Sequence, residues 1–132
     1  MAKTIVQKVK LAAKPAALYA LYVDEKKHSA ATGAAARIPA KAGAAFTAWD
    51  GYIAGTTLHL DPGKMVVQTW RAADWKKSDR DSVLSLWFAP AAGGGGEVTM
   101  VHANVPDAHH KALAQGWIEN YWKPWKAYLK KR

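Results

Sequence analysis

The stretch QGWIENYWKPWKAYLKKR, residues 115–132 at the end of the chain, decides how the rest of the sequence is read. Large apolar side chains recur in it and just before it at a spacing of four residues: Leu113, Trp117, Tyr121, Trp125 and Leu129. This spacing predicts an α-helix with one broad apolar face. The lysines at positions 123, 126 and 130 fall mostly off that face and predict a basic, solvated back. A helix with so many aromatic residues needs a large apolar surface to pack against.

The predicted helix has a clear start and one irregularity. It begins at Asp107, directly after Pro106, because an aspartate side chain can accept hydrogen bonds from the first free backbone amides. Pro124 should bend the helix, since proline removes one backbone hydrogen bond and its ring crowds the carbonyl of Asn120. Trp122 falls off the apolar face. We therefore expect Trp122 to be exposed and to mark a partner surface or a dimer contact.

Before this helix, alternating apolar and polar residues predict six β-strands. They cover residues 4–11, 45–50, 52–60, 65–72, 82–89 and 97–103. Turn sequences separate the last five: DG, DPGK, ADWKKSDRD and AAGGGG. After the first strand, Pro15 and the helical spacing of Leu18, Leu21 and Tyr22 predict two short helices. This order predicts an α+β fold in which helices cover one face of an antiparallel sheet.

The length and composition set the broad class. A chain of 132 residues has the size of one domain. Half of the residues are hydrophobic, but no stretch reaches the roughly 18 apolar residues of a membrane span, and the N-terminus does not resemble a signal peptide. We therefore expect a cytoplasmic protein. The absence of cysteine excludes disulfides, thiolate metal sites and cysteine nucleophiles.

The net charge of +9 raises the question of an acidic partner. Most of the basic residues are scattered along the chain, with one concentration at Lys123, Lys126, Lys130, Lys131 and Arg132. No zinc-finger, RRM or helix-turn-helix pattern accompanies them, so we expect no binding of nucleic acid. A solvated basic surface, or one that meets an acidic protein, fits the distribution.

The sequence contains no pattern typical of a metal site or a catalytic centre. His109 and His110 are adjacent on the predicted helix and point about 100° apart, so they cannot both bind one ion well. Asp107 and His110 have ligand spacing but supply only two ligands. The serines lie in no nucleophile-elbow pattern, and the carboxylates form no recognisable catalytic pair. We expect no metal, no cofactor and no catalytic residue.

Several stretches together resemble a known family. They are KPAALYALYVDEKKHSAATG, GYIAGTTLHLDPGKMVVQTWRAADW, SVLSLW, VHANVP and QGWIENYWKPWKAYL. In this order they are similar to the activator of heat-shock protein 90 ATPase homologue family, within the SRPBCC superfamily that includes START and birch-pollen-allergen-like domains. The resemblance implies a helix-grip fold, in which a curved six-stranded antiparallel sheet surrounds a long C-terminal helix and two short helices follow the first strand. Some superfamily members are enzymes, so a reaction stays open by analogy alone.

The resemblance also implies a cavity between the sheet and the long helix, suited to a small hydrophobic ligand. The candidate ligand-binding residues are Phe46, Leu58, Trp70, Leu86, Met100, His102, Trp117, Tyr121 and Trp125. The alternative is that these residues form a simple packed core. His102 continues an inward alternation and could orient a ligand, act as an acid or base, or be structural. Arg71 could bind a ligand carboxylate, but we favour a salt bridge with Asp50 or Asp81.

Three hypotheses follow for the function. The leading one is a non-enzymatic protein, monomeric or homodimeric, that binds a small hydrophobic molecule between its sheet and C-terminal helix. The second is a module that regulates a chaperone or contacts another acidic protein through its basic surface. The third is association with a membrane surface through the Trp- and Lys-rich end.

Overall fold

The computed structural model describes residues 2–130 and contains one six-stranded antiparallel sheet. The strands are β1 (Ala2–Leu11), β2 (Ala45–Ala48), β3 (Ile53–Asp61), β4 (Met65–Ala72), β5 (Ser82–Pro90) and β6 (Gly96–Pro106). Their order in the sheet is β1-β6-β5-β4-β3-β2, so that β2 to β6 form a meander and β1 closes one edge beside β6. The curved sheet and the long C-terminal helix confirm the predicted α+β helix-grip fold.

Two short helices follow β1, as predicted. They are α1 (Pro15–Val23) and α2 (Glu25–Thr32). Pro15 occupies the first turn of α1, where its missing amide costs nothing. The carboxylate of Asp24 caps α2 by accepting from two backbone amides at 3.0 and 3.1 Å, and Gly33 ends the helix with a φ of 84°. These ends fix how the pair lies against the core.

The C-terminal helix has three parts: α3 (Asp107–Trp117), a π-helical segment (Ile118–Trp122) and α4 (Lys123–Lys130). In the π-helical segment the Lys123 amide donates to the Ile118 carbonyl, five residues earlier. The widened turn ends at Trp122, two residues before Pro124, whose ring and missing amide exclude the α-helical hydrogen bond to Asn120. The predicted irregularity is therefore a π-helical turn. Lys131 and Arg132 of the predicted basic cluster lie outside the described residues.

The prediction that Trp122 is exposed is wrong. Trp122 is buried, and its ring stacks on that of Trp117 with centroids 5.5 Å apart. Its Nε1–H donates to the side-chain oxygen of Gln7 on β1 at 2.8 Å. The π-helical turn is the physical reason, because it brings residues five apart onto one face, whereas an α-helix places them about 140° apart around its axis.

Two smaller expectations also need correction. The helix α3 begins at Asp107 as predicted, but within residues 2–130 the Asp107 carboxylate makes no capping hydrogen bond. It pairs instead with Lys3 at 3.1 Å, which lowers the pKa of Asp107. Leu58 was expected to face the helix, but 49% of it is exposed. Leu58 lies at a β-bulge in β3, next to the inward-facing Thr57, so the pleat directs it to the outer face.

No helix within residues 2–130 has the length and apolar composition needed to cross a membrane.

Candidate ligand cavity

A cavity of about 290 Å³ lies between the sheet and the C-terminal helix and opens partly to solvent. Its lining residues are Trp49, Tyr52, Ile53, Trp70, Leu113, Gly116, Trp117, Asn120 and Tyr121. Five of these nine are aromatic. Apolar walls with few polar groups are what a small hydrophobic ligand requires.

Three of the nine candidate residues from the sequence line this cavity: Trp70, Trp117 and Tyr121. Five others are buried in the core and lie outside its lining: Phe46, Leu86, Met100, His102 and Trp125. Leu58 is on the outer face of the sheet, as described above. The sequence analysis missed Trp49 and Tyr52, which the turn before β3 contributes to the lining. It also missed Leu113 and Gly116, although their helical spacing with Trp117 places both on the cavity side of α3.

The turn between β2 and β3 forms one wall of the cavity. Trp49, Asp50 and Gly51 all have positive φ values, of 52°, 57° and 89°. This left-handed conformation is costly for the two residues that have a Cβ, of order 1–3 kcal/mol each. The Asp50 carboxylate supports the turn by accepting from the Ala35 amide at 2.9 Å. As a result the Trp49 ring meets the Tyr121 ring edge-on, with centroids 6.1 Å apart.

Tyr52 lines the cavity at its solvent side. Its hydroxyl donates to the carboxylate of Asp74 at 2.7 Å, and this hydrogen bond is the main reason why the pKa of Tyr52 is raised to about 12. The side chain is 46% exposed. The contact with Asp74 therefore holds the phenol in place although solvent reaches it.

His102 holds the wall residue Trp117 from behind. The Trp117 Nε1–H donates to Nδ1 of His102 at 3.1 Å, so the ring proton of a neutral His102 lies on Nε2. That N–H faces Ser82 Oγ at 2.7 Å, and the Ser82 hydroxyl donates to the Trp70 carbonyl at 2.6 Å. Every polar atom of this buried chain is satisfied with His102 neutral. Burial lowers the pKa of His102 to about 3.

His28 holds Tyr121 in the same way. His28 Nδ1 lies 2.7 Å from the Tyr22 carbonyl and therefore carries the proton, which leaves Nε2 to accept from the Tyr121 hydroxyl at 3.2 Å. Burial lowers the pKa of His28 and raises the pKa of Tyr121. A second buried chain continues from the Tyr22 hydroxyl to Gln68 Oε1 at 2.7 Å. Sequence reasoning gave His28 no role, because its helix shows no apolar periodicity.

Arg71 does not reach the cavity. Its guanidinium pairs with Asp81 at 3.0 Å and also donates to the Asp79 carbonyl at 2.7 Å. The favoured salt bridge is therefore confirmed with Asp81, whereas Asp50 supports the β2–β3 turn. Within residues 2–130, no three side chains of the metal-binding types converge on one point.

A curved antiparallel sheet closed around a long C-terminal helix defines the helix-grip class of proteins, and in this chain an aromatic cavity lies between the two. The sequence matches the family described as Activator of Hsp90 ATPase homolog 1-like protein over residues 12–130. The chain belongs to this family.

One curated relative and two solved structures are similar to this chain. An activator of 90 kDa heat shock protein ATPase homolog from Dictyostelium discoideum is 27% identical over 118 residues, which cover 89% of this chain and 30% of that protein. The chain thus spans under a third of the length of this curated relative. An HSP90 activator from Plasmodium falciparum has the same fold, with a TM-score of 0.87 at 18% identity over 96% of both chains. A protein from Mesorhizobium loti has a TM-score of 0.80 at 17% identity over 98% of both.

Proposed function

We propose that this protein binds a small hydrophobic ligand, without catalysis, in the cavity between the sheet and the C-terminal helix. The observation that carries the proposal is the aromatic lining of a cavity that opens to solvent. Apolar and aromatic walls around a concave space that solvent can enter are typical of sites for small molecules. We propose that the protein binds this ligand in the cytoplasm.

The size of the cavity limits the ligand to a small compound. Ligand cavities commonly measure about 300–1,000 Å³, and a cavity of about 150 Å³ accepts benzene. At about 290 Å³ this cavity fits a compound of one or two fused rings. Rings would stack on or meet the edges of the wall aromatics, an arrangement that favours planar ligands.

Gly116 offers a direct test because it lines the cavity and sits on the helix. A Cβ at this position would meet nothing closer than the Asn120 side chain at 3.6 Å, so alanine fits with ordinary contacts. The larger side chain of Gly116→Leu would occupy the cavity. We expect 2-naphthol to bind saturably to the native protein and to Gly116→Ala, and to lose at least about tenfold in affinity, or ~1.4 kcal/mol, in Gly116→Leu.

Isothermal titration calorimetry measures the three affinities, and circular dichroism checks that both variants fold. The proposal is overturned if 2-naphthol does not bind to the native protein, or if it binds equally well to folded Gly116→Leu.

A second candidate function is contact with a chaperone of the Hsp90 class or another acidic protein. The names of the relatives from Dictyostelium discoideum and Plasmodium falciparum support it. So does the outer face of the sheet, where Trp87 is 49% exposed and Thr99 lies in register between it and Lys8. An exposed tryptophan with a lysine two strands away on the same face suits an acidic partner surface.

The assay is the ATPase rate of a purified Hsp90 with and without this protein. The second candidate predicts that this protein stimulates the ATPase rate and that the stimulation falls as salt rises. Trp87→Ala should abolish the stimulation, and Gly116→Leu should keep it. An unchanged rate contradicts this candidate.

The hypothesis of association with a membrane surface has lost its main support, because Trp117, Trp122 and Trp125 are all buried.

A further inference from the structure

The polar atoms of the cavity wall restrict which ligands can bind. On the helical side, the Trp117 Nε1–H is bound to His102 and the Tyr121 hydroxyl faces His28. The donor hydrogens of both groups are thus already taken up by buried histidines. At the solvent side, the Tyr52 hydroxyl is bound to Asp74. These three aromatic side chains therefore offer a ligand mainly apolar ring contact and no free hydrogen-bond donor.

The lining also lacks a counter-ion. Among the described residues that line the cavity, none carries a charged side chain. A charged group brought into an apolar site without a partner loses its hydration and gains no compensation. The remaining non-aromatic polar side chain in the lining is that of Asn120, which is exposed and offers both an amide donor and a carbonyl acceptor.

We infer that the ligand is an uncharged, planar ring compound with one polar substituent, which Asn120 binds at the solvent side of the cavity. His102 and His28 are positioning residues for this selectivity, because each holds the polar atom of a wall aromatic away from the ligand. This inference rests on the proposed binding function and adds to it the chemical class of the ligand.

The test compares probes of one shape and three charges. These are 2-naphthol, which is neutral at pH 7, the anion 2-naphthoate and the cation 2-naphthylmethylammonium. We expect 2-naphthol to bind at least about tenfold more tightly than either ion, a difference of ~1.4 kcal/mol. The cation is included because aromatic rings also attract cations. Equal or tighter binding of either ion, in a manner that Gly116→Leu abolishes, overturns the inference and leaves the cavity itself supported.

Asn120 is tested with a second matched pair, 2-naphthol and 2-methylnaphthalene. Asn120→Ala should weaken 2-naphthol about two- to fivefold, as expected for one neutral hydrogen bond near solvent, and leave 2-methylnaphthalene unchanged. Equal loss for both compounds would show that Asn120 acts through packing, and no loss for either would show that it makes no contact. Both outcomes contradict the assigned role. If neither compound binds to the native protein, the proposed function itself is refuted.

Discussion

The buried histidine His102 gives the protein a defined sensitivity to acid. In the folded state it is neutral, with a pKa lowered to about 3 by burial, and it accepts a hydrogen bond from Trp117. In the unfolded chain its pKa returns to about 6.5. The folded state therefore binds fewer protons than the unfolded state between these two values. Stability contributed by neutral His102 is present above pH 6.5 and is lost as the pH falls.

The magnitude follows from the difference between the two pKa values. At ~1.36 kcal/mol per pKa unit, His102 should lower the free energy of unfolding by about 2 kcal/mol between pH 7.5 and pH 5. The loss reaches about 4 kcal/mol at pH 3. His28, whose pKa is also lowered by burial, acts in the same direction.

The variant His102→Asn isolates the contribution of His102. Asparagine supplies an oxygen close to the position of Nδ1, which can accept from Trp117, but it has no proton to gain in this pH range. It loses the contact with Ser82 and some buried volume, so we expect a cost of about 2 kcal/mol at pH 7.5.

The assay is urea denaturation of the native protein and His102→Asn from pH 7.5 to pH 5. Carboxylates and His28 affect both proteins alike, so the difference between their free energies of unfolding reports on His102. This difference should shrink from about 2 kcal/mol to near zero, because the native protein loses stability as the pH falls and the variant has no side chain at position 102 that can be protonated. Two curves that fall in parallel would refute the assignment of His102 as a neutral, buried acceptor.

Three further predictions concern single positions. Gly116→Ala should raise the free energy of unfolding by about 0.5–1 kcal/mol, because alanine favours the helix and its Cβ meets no close atom. Urea denaturation measures this change, and a lower stability would contradict the contact geometry. Gly55→Ala should cost about 3 kcal/mol in the same assay, since its Cβ would lie 1.9 Å from the Thr69 carbonyl oxygen, and a neutral effect would refute this close approach. Asp74→Ala removes the acceptor and should return the pKa of Tyr52 from about 12 towards about 10. Ultraviolet titration of the phenol, with Tyr52→Phe as the blank, measures this change, and an unchanged pKa would exclude the Asp74 hydrogen bond as its cause.

Periodicity was sufficient to predict the architecture. The strands alternate in the sequence because one face of the sheet is buried, and the four-residue spacing from Leu113 onwards identified the helix that the sheet surrounds. The inward direction of His102 followed from the same alternation. These features depend on repeated local patterns, which a sequence displays directly.

The errors arose where the backbone leaves its regular period. The burial of Trp122 depends on a π-helical turn, and a template of about 3.6 residues per turn places that side chain on the wrong face. The β2–β3 turn contributes Trp49 and Tyr52 to the cavity through a run of positive φ values that residue types alone do not reveal. The role of His28 depends on its tertiary contact with Tyr121, 93 residues away in the chain.

The seven tryptophans of the chain allow the cavity to be observed in one experiment. A ¹H–¹⁵N correlation spectrum of the indole N–H groups, recorded during titration with 2-naphthol, separates Trp49, Trp70 and Trp117 in the lining from Trp87 on the outer face of the sheet. We predict saturable shifts for the three cavity tryptophans and none for Trp87. A spectrum in which the cavity signals stay fixed, or in which Trp87 shifts in their place, would contradict the central claim that this protein binds its ligand between the sheet and the helix.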